Sequence, residues 1–112
     1  MPQQLQPGQV SALLAADAPP LLLDVREPWE AATASIASGS ARLDQRLIPM
    51  GEIPARLAEL DPTQPIVVFC HHGVRSLQVV AFLERQGFES VYNLAGGIDA
   101  WSREVDPSVP RY

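Results

Sequence analysis

The sequence predicts an α/β domain with a mostly parallel central sheet and helices on both faces. Three observations carry this expectation. Leu21-Leu22-Leu23-Asp24-Val25 and Ile66-Val67-Val68-Phe69 are short, nearly uninterrupted apolar runs, the pattern of strands buried on both faces. Segments with helical spacing of apolar residues lie between such runs, and strand–helix–strand alternation calls for parallel crossovers. The eleven prolines are spread along the chain and punctuate these units.

Taken in order, Pro7 suits the first turn of a helix reaching to about Ala16, with Val10, Leu13 and Leu14 on one face. Pro19 and Pro20 end it, and the run Leu21 to Val25 follows as a strand. A short helix is expected from Arg26 to Ala32, with Pro28 in its first turn. The stretch Ser35 to Arg46 is rich in Ser, Ala and Gly, with Ile36 and Leu43 as its anchors. It reads as loop with one short strand near Ile36. Ile53, Leu57 and Leu60 fall at i, i+4 and i+7, so an amphipathic helix is expected over 51–60. Ile66 to Phe69 is the strongest strand, being β-branched and apolar throughout. A largely buried helix from Arg75 to Gln86 ends at Gly87. Val91 to Leu94 reads as a strand, and Gly96-Gly97 turns into a last helix with Ile98, Trp101 and Val105 inward. Trp29, Tyr92 and Trp101 are expected in the core.

The 112 residues are the size of one domain, so residues 1–112 are read as a single unit. With 46% apolar and 19% charged residues the composition is that of a globular protein. A net charge of −5 without any basic run argues against a nucleic-acid partner. No apolar stretch is long enough to span a bilayer, and the N-terminus has no signal-peptide pattern, so neither membrane nor export is expected. The one cysteine, Cys70, cannot form an internal disulfide; the expected compartment is a reducing cytoplasm.

Cys70 follows the strongest strand, at the carboxyl ends of the strands where α/β sheets bind ligands. The segment Cys70-His71-His72-Gly73-Val74-Arg75-Ser76 is read as a loop running into a helix. Helix N-termini leave N–H groups unpaired and partly positive. A loop curled over such an end aims N–H groups at the sulfur and stabilises an anion there. Gly73 permits a positive φ or a close backbone approach. Arg75 adds a cation, either for an anionic ligand or for a structural carboxylate. His71 and His72 are loop side chains that add local potential. They make a poor zinc site, since adjacent residues rarely converge on one ion and no other Cys or His remains. Asp24 and Arg26, after the first strong strand, support the site, most simply as a buried ion pair.

Beyond these readings, the chain resembles the rhodanese-like domain family. The resemblance rests on Leu22 to Glu30, Ile66 to Ser76, Gly87-Phe88, Val91 to Ile98 and Trp101, in the family's order along nearly the whole chain. The tail Asp106 to Tyr112 also looks like the end of rhodanese domains fused to sulfur-transferring activating enzymes. Where the family often has Gly-His-Ile-Pro-Gly-Ala, this sequence has Ala34-Ser35-Ile36-Ala37-Ser38-Gly39-Ser40. The resemblance implies a three-layer domain and a sulfurtransferase in which Cys70 carries sulfur as a persulfide. His71, His72, Gly73, Val74, Arg75 and Ser76 would form the binding loop. It implies no metal and no organic cofactor. The implied partners are small sulfur donors such as thiosulfate, thiophilic acceptors such as cyanide or thiols, and, through an open pocket, a protein sulfur acceptor. Related phosphatases have five residues between Cys and Arg; this chain has four, a cradle sized for one sulfur atom. Two rivals stay open: a phosphatase of related fold, which the short loop disfavours, and a persulfide carrier or partner-binding module with little turnover of its own, whose loop chemistry would be the same.

Overall fold

The computed structural model describes residues 3–36 and 44–112. Five strands, β1 (Gln3–Leu5), β2 (Leu21–Asp24), β3 (Gln45–Leu47), β4 (Ile66–Phe69) and β5 (Val91–Leu94), form one sheet in the order β1-β5-β4-β2-β3. Every pairing is parallel. Among the described residues the α-helices are α1 (Pro7–Leu14), α2 (Pro28–Thr33), α3 (Val74–Arg85) and α4 (Gly97–Glu104). None is long and apolar enough to cross a membrane.

β2 and β4 are buried at every residue, as their unbroken apolar runs predict. Their alternate side chains feed two cores. Leu21, Leu23, Ile66 and Val68 pack with Val79, Val80 and Leu83 of α3. Leu22, Val67 and Phe69 pack with Val10 of α1 and Ile98 and Trp101 of α4. The sheet is thus the middle of three layers.

Four expectations need correction. The segment 51–60 is not one α-helix: it forms two short 3₁₀ turns, Met50–Glu52 and Leu57–Glu59. Pro54 has no N–H to give an i→i−4 bond, and Gly51 weakens the helix start. Ile53 and Leu60 are still buried, so the apolar spacing reported the buried face correctly. Trp29 is 64% exposed rather than core, because the inward-facing residue of the six-residue α2 is Glu30. The expected strand near Ile36 is a bend, with Ile36 itself fully buried, and the strand of that region is β3. The first strand, β1, was not anticipated: Gln-Gln-Leu has no strand pattern and holds its place by pairing with β5. The rest of the expected loop, residues 37–43 including Leu43, lies outside the described residues.

Candidate active site around Cys70

β2, β4 and β5 end together. Asp24 pairs with Phe69, and Val68 with Asn93, so Cys70 emerges between two polar strand ends. α3 begins at Val74, one residue before the expected start at Arg75, so Val74, Arg75 and Ser76 of the expected binding loop lie in the first helical turn. Gly73, immediately before the helix, has φ +96°, a conformation that suits glycine. A Cβ there would stand 3.1 Å from the Gly96 nitrogen.

The Cys70 sulfur is almost wholly buried and receives the Gly73 N–H at 3.1 Å and the Ser76 N–H at 3.3 Å. The Ser76 hydroxyl lies 3.3 Å from the sulfur and donates to Oδ1 of Asn93. Asn93, itself buried, donates through Nδ2 to the Gly73 carbonyl at 3.2 Å and to Gln4 at 3.0 Å. The opposite side of the turn is held by α4. The Ile98 and Asp99 N–H groups, orphaned by the helix start, donate to the carbonyls of Cys70 and His71 at 2.9 and 3.1 Å. Those carbonyls are thereby committed outward. The backbone N–H groups of His71, His72, Val74 and Arg75 donate to no acceptor among the described residues. The turn therefore has the composition of an anion-binding nest. Gly97 makes this docking possible: a Cβ on it would lie 2.5 Å from the His71 carbonyl oxygen and 2.6 Å from that of Cys70.

The remaining expected site residues fall into place around this nest. Arg75 turns its guanidinium to Glu30, with Nη1–Oε1 at 2.7 Å and Nη2–Oε2 at 2.8 Å. That hydrogen-bonded ion pair is what holds the Glu30 carboxyl down at about 2 and the Arg75 guanidinium above its ordinary value. Asp24 and Arg26 do not bond to the cysteine turn. They form a fully buried ion pair at 2.7 Å under α2. Arg26 gives all its side-chain donors: two to Asp24, and one each to the Glu30 carbonyl, the Ala34 carbonyl and the Tyr112 hydroxyl. His72 and Val74 are exposed, Val74 at 66%. The His71 ring stacks on both His72 and Tyr112 at 3.9 Å. Burial is the main reason its imidazole titrates below the ordinary value, with His72 adding to it, and its Nε2 is buried without a partner among the described residues.

Asp99 supplies the third metal-type ligand that sequence reasoning missed, with its oxygen and the two imidazoles within 4.8 Å of one another. Both Asp99 oxygens are already taken, by Arg111 at 3.0 Å and Arg103 at 3.2 Å, and those pairs depress its carboxyl. A small cavity of about 140 Å³ beside the turn is lined by Val25, Glu27, Met50, Gly51 and Arg75. A larger one of about 460 Å³, between the end of α2 and the tail, includes no residue of the turn and does not bear on its chemistry.

Sequence reasoning also missed Glu30, Asn93 and Tyr112. Asn93 left a signal, a lone amide in an apolar strand that ends beside the cysteine. Glu30 and Tyr112 fall in segments that carry the resemblance, but nothing in the sequence pairs them with the site, because their partners there are 45 or more residues away.

A family model described as a rhodanese-like domain matches residues 6–104. A protein named sulfurtransferase from Allochromatium vinosum is 37% identical over 109 residues, covering 97% of this chain and 96% of that protein. The thiosulfate sulfurtransferase GlpE of Stutzerimonas stutzeri is 36% identical over 106 residues, 95% of this chain and 89% of GlpE. The chain is 41% identical to a rhodanese-like/PpiC domain-containing chloroplast protein of Arabidopsis thaliana, but spans 30% of that protein's length. A rhodanese-like domain protein from Staphylococcus aureus superposes with a TM-score of 0.79 at 28% identity, over 98% of both chains. With its family model matched from α1 to α4 and relatives of equal length above the 35% level, this chain belongs to the rhodanese-like domain family.

Proposed function

We propose that the chain is a sulfurtransferase that moves sulfane sulfur through a persulfide on Cys70. One observation carries the reading: the Cys70 sulfur sits in a turn whose N–H groups converge on it while the carbonyls of Cys70 and His71 are committed to α4. In the first half-reaction the Cys70 thiolate attacks the outer sulfur of thiosulfate. The bond between the two thiosulfate sulfurs breaks, and sulfite leaves with its electron pair. The persulfide anion that remains meets N–H donors that are already oriented. In the second half-reaction cyanide or a thiolate attacks the outer sulfur, and the Cys70 thiolate departs. Both steps are displacements at sulfur and involve neither a metal nor an organic cofactor.

The names of the full-length relatives, sulfurtransferase and thiosulfate sulfurtransferase, support the same chemistry. A phosphatase reading has less support: only four residues separate Cys70 from Arg75, and the Arg75 guanidinium is engaged by Glu30. Small thiols and a protein thiol are both acceptors consistent with this reading.

The test is thiocyanate formation from thiosulfate and cyanide, with intact mass after thiosulfate alone. The wild type gains one sulfur atom and turns over; Cys70→Ser does neither. Loading without turnover would make the chain a persulfide carrier for a protein acceptor. A Cys70 that takes sulfur from no donor would end the reading, and aryl-phosphate hydrolysis would be measured next.

A further inference from the structure

Tyr112 reaches the Cys70 turn from the far end of the chain. Its tail is fixed on the way. The Ser102 hydroxyl donates to the Val109 carbonyl at 2.6 Å, Val109 is buried in the second core, and Arg111 pairs with Asp99. Pro107 and Pro110 restrict the backbone between these anchors. Tyr112 then contacts four residues. Its ring stacks on His71 with centroids 3.9 Å apart and planes 8° apart. Its hydroxyl accepts from Arg26 Nη1 and donates to Glu30 Oε2, each at 2.9 Å. The edge-to-face contact with Trp29 at 6.1 Å completes the set.

Glu30 Oε2 is the same oxygen that accepts from Arg75. The tyrosine hydroxyl therefore joins two ion pairs into one chain, Asp24–Arg26–Tyr112–Glu30–Arg75, which runs from the end of β2 to the first turn of α3. His71 and Arg75 bracket the turn, one just after the cysteine and the other just inside the helix. We propose that Tyr112 is a positioning residue that clamps the Cys70 turn at both ends, at His71 through its ring and at Arg75 through Glu30. The clamp sets the curvature of the turn, and that curvature sets where its N–H groups point. Displacement of preorganised donors by a fraction of an ångström weakens their hold on developing charge. That the clamp governs a rate rests on the sulfur-transfer reading above; that it holds the turn does not.

The test uses the full chain as wild type, Tyr112→Phe and Tyr112→Leu. Two quantities are read: amide hydrogen exchange at Gly73, Ser76 and Asp99, and the single-turnover rate of sulfur uptake from thiosulfate by intact mass. Tyr112→Phe keeps the stack on His71 and loses the hydroxyl bridge; its uptake is expected to fall severalfold. Tyr112→Leu loses both and is expected to fall about tenfold or more. In Tyr112→Leu, exchange at the Gly73, Ser76 and Asp99 amides, which bond to the turn, rises about tenfold while β4 and β5 amides stay as in wild type. Faster exchange throughout the sheet would reduce Tyr112 to a general stabiliser and overturn the proposal. So would turn exchange or uptake within about twofold of wild type in Tyr112→Leu. If the wild type takes up no sulfur, it is the sulfur-transfer reading that fails, and exchange alone decides the clamp.

Discussion

Glu30 and Arg75, 45 residues apart in sequence, meet in a two-pronged ion pair that joins α2 to the first turn of α3. Glu30 is buried while Arg75 is about one-third exposed, so the carboxylate is the partner that has given up its water. The pair holds the Glu30 carboxyl at about 2, against an ordinary 4.5. A carboxyl depressed on folding contributes stability that is complete above its unfolded value and is lost as pH falls through its folded value. The loss should therefore occur between about pH 4.5 and about pH 2 and be on the order of 3 kcal/mol. Urea unfolding across that range should show it in the wild type. Glu30→Gln should be less stable at pH 7 and should lack this component of the acid loss. Parallel curves for the two proteins would mean that the pair contributes nothing to stability.

The inner sheet was legible in the sequence because burial on both faces leaves only apolar residues to choose from, as in Leu21-Leu22-Leu23 and Ile66 to Phe69. The edge strands were not. Gln3–Leu5 and Gln45–Leu47 are polar and three residues long, and pairing with β5 and β2 places them rather than any propensity of their own. The cysteine turn was legible because its residues are contiguous. Its supports were not, since Glu30, Asn93 and Tyr112 are gathered by the fold from three distant segments. Trp29 was misread for a related reason: aromatic character predicts burial only on average, and the inward position beside it went to Glu30, whose carboxylate Arg75 requires.

Gly97 should be intolerant of any side chain. Its φ is +64°, and a Cβ would overlap two carbonyl oxygens of the cysteine turn. Relief requires α4 and the turn to separate, which breaks the Ile98 and Asp99 hydrogen bonds. Gly97→Ala is expected to cost about 2–4 kcal/mol and to slow sulfur uptake more than any other glycine change. Gly51→Ala is the control, since nothing lies within 4 Å of a Cβ there. Equal thermal stability and equal uptake for the two variants would contradict the packing described.

Arg26 is a fully buried guanidinium with every donor used. Arg26→Leu would leave the Asp24 carboxylate, two carbonyls and the Tyr112 hydroxyl without that partner. A buried charge stripped of its partner costs about 3–5 kcal/mol, far more than the pair contributes over an apolar replacement. Arg26→Lys should recover only part of this, because one ammonium cannot reproduce the planar fork. Chemical denaturation checks the ranking: wild type, then Lys, then Leu. A lysine variant as stable as wild type would show that charge alone, rather than the fork, holds the end of α2.

Asn93 reaches the sulfur through Ser76, and substituting it leaves every group that touches the sulfur unchanged. Its carbonyl oxygen accepts the hydrogen bond of the Ser76 hydroxyl, and its amide donates to the Gly73 carbonyl, so it orders both residues whose N–H groups reach the sulfur. Asn93→Asp keeps the shape and changes two things. The donor to Gly73 and Gln4 is lost, so a carboxylate oxygen confronts the Gly73 carbonyl oxygen. A negative charge also enters one hydroxyl away from the atom that must become anionic. Like charges in a buried site disfavour each other strongly, and the persulfide anion would be opposed by the same field. Sulfur uptake at pH 7 should fall by about 100-fold, a loss within the range measured when one oriented donor is removed from an anion site. Uptake relative to wild type should improve as pH is lowered and the new carboxyl takes up a proton. Asn93→Ala, which adds no charge, should fall by only about tenfold and show no such recovery. Following mass gain from thiosulfate at several pH values separates the two. If Asn93→Asp and Asn93→Ala lose the same activity with the same pH dependence, Asn93 acts through packing alone and the field at the sulfur is set elsewhere.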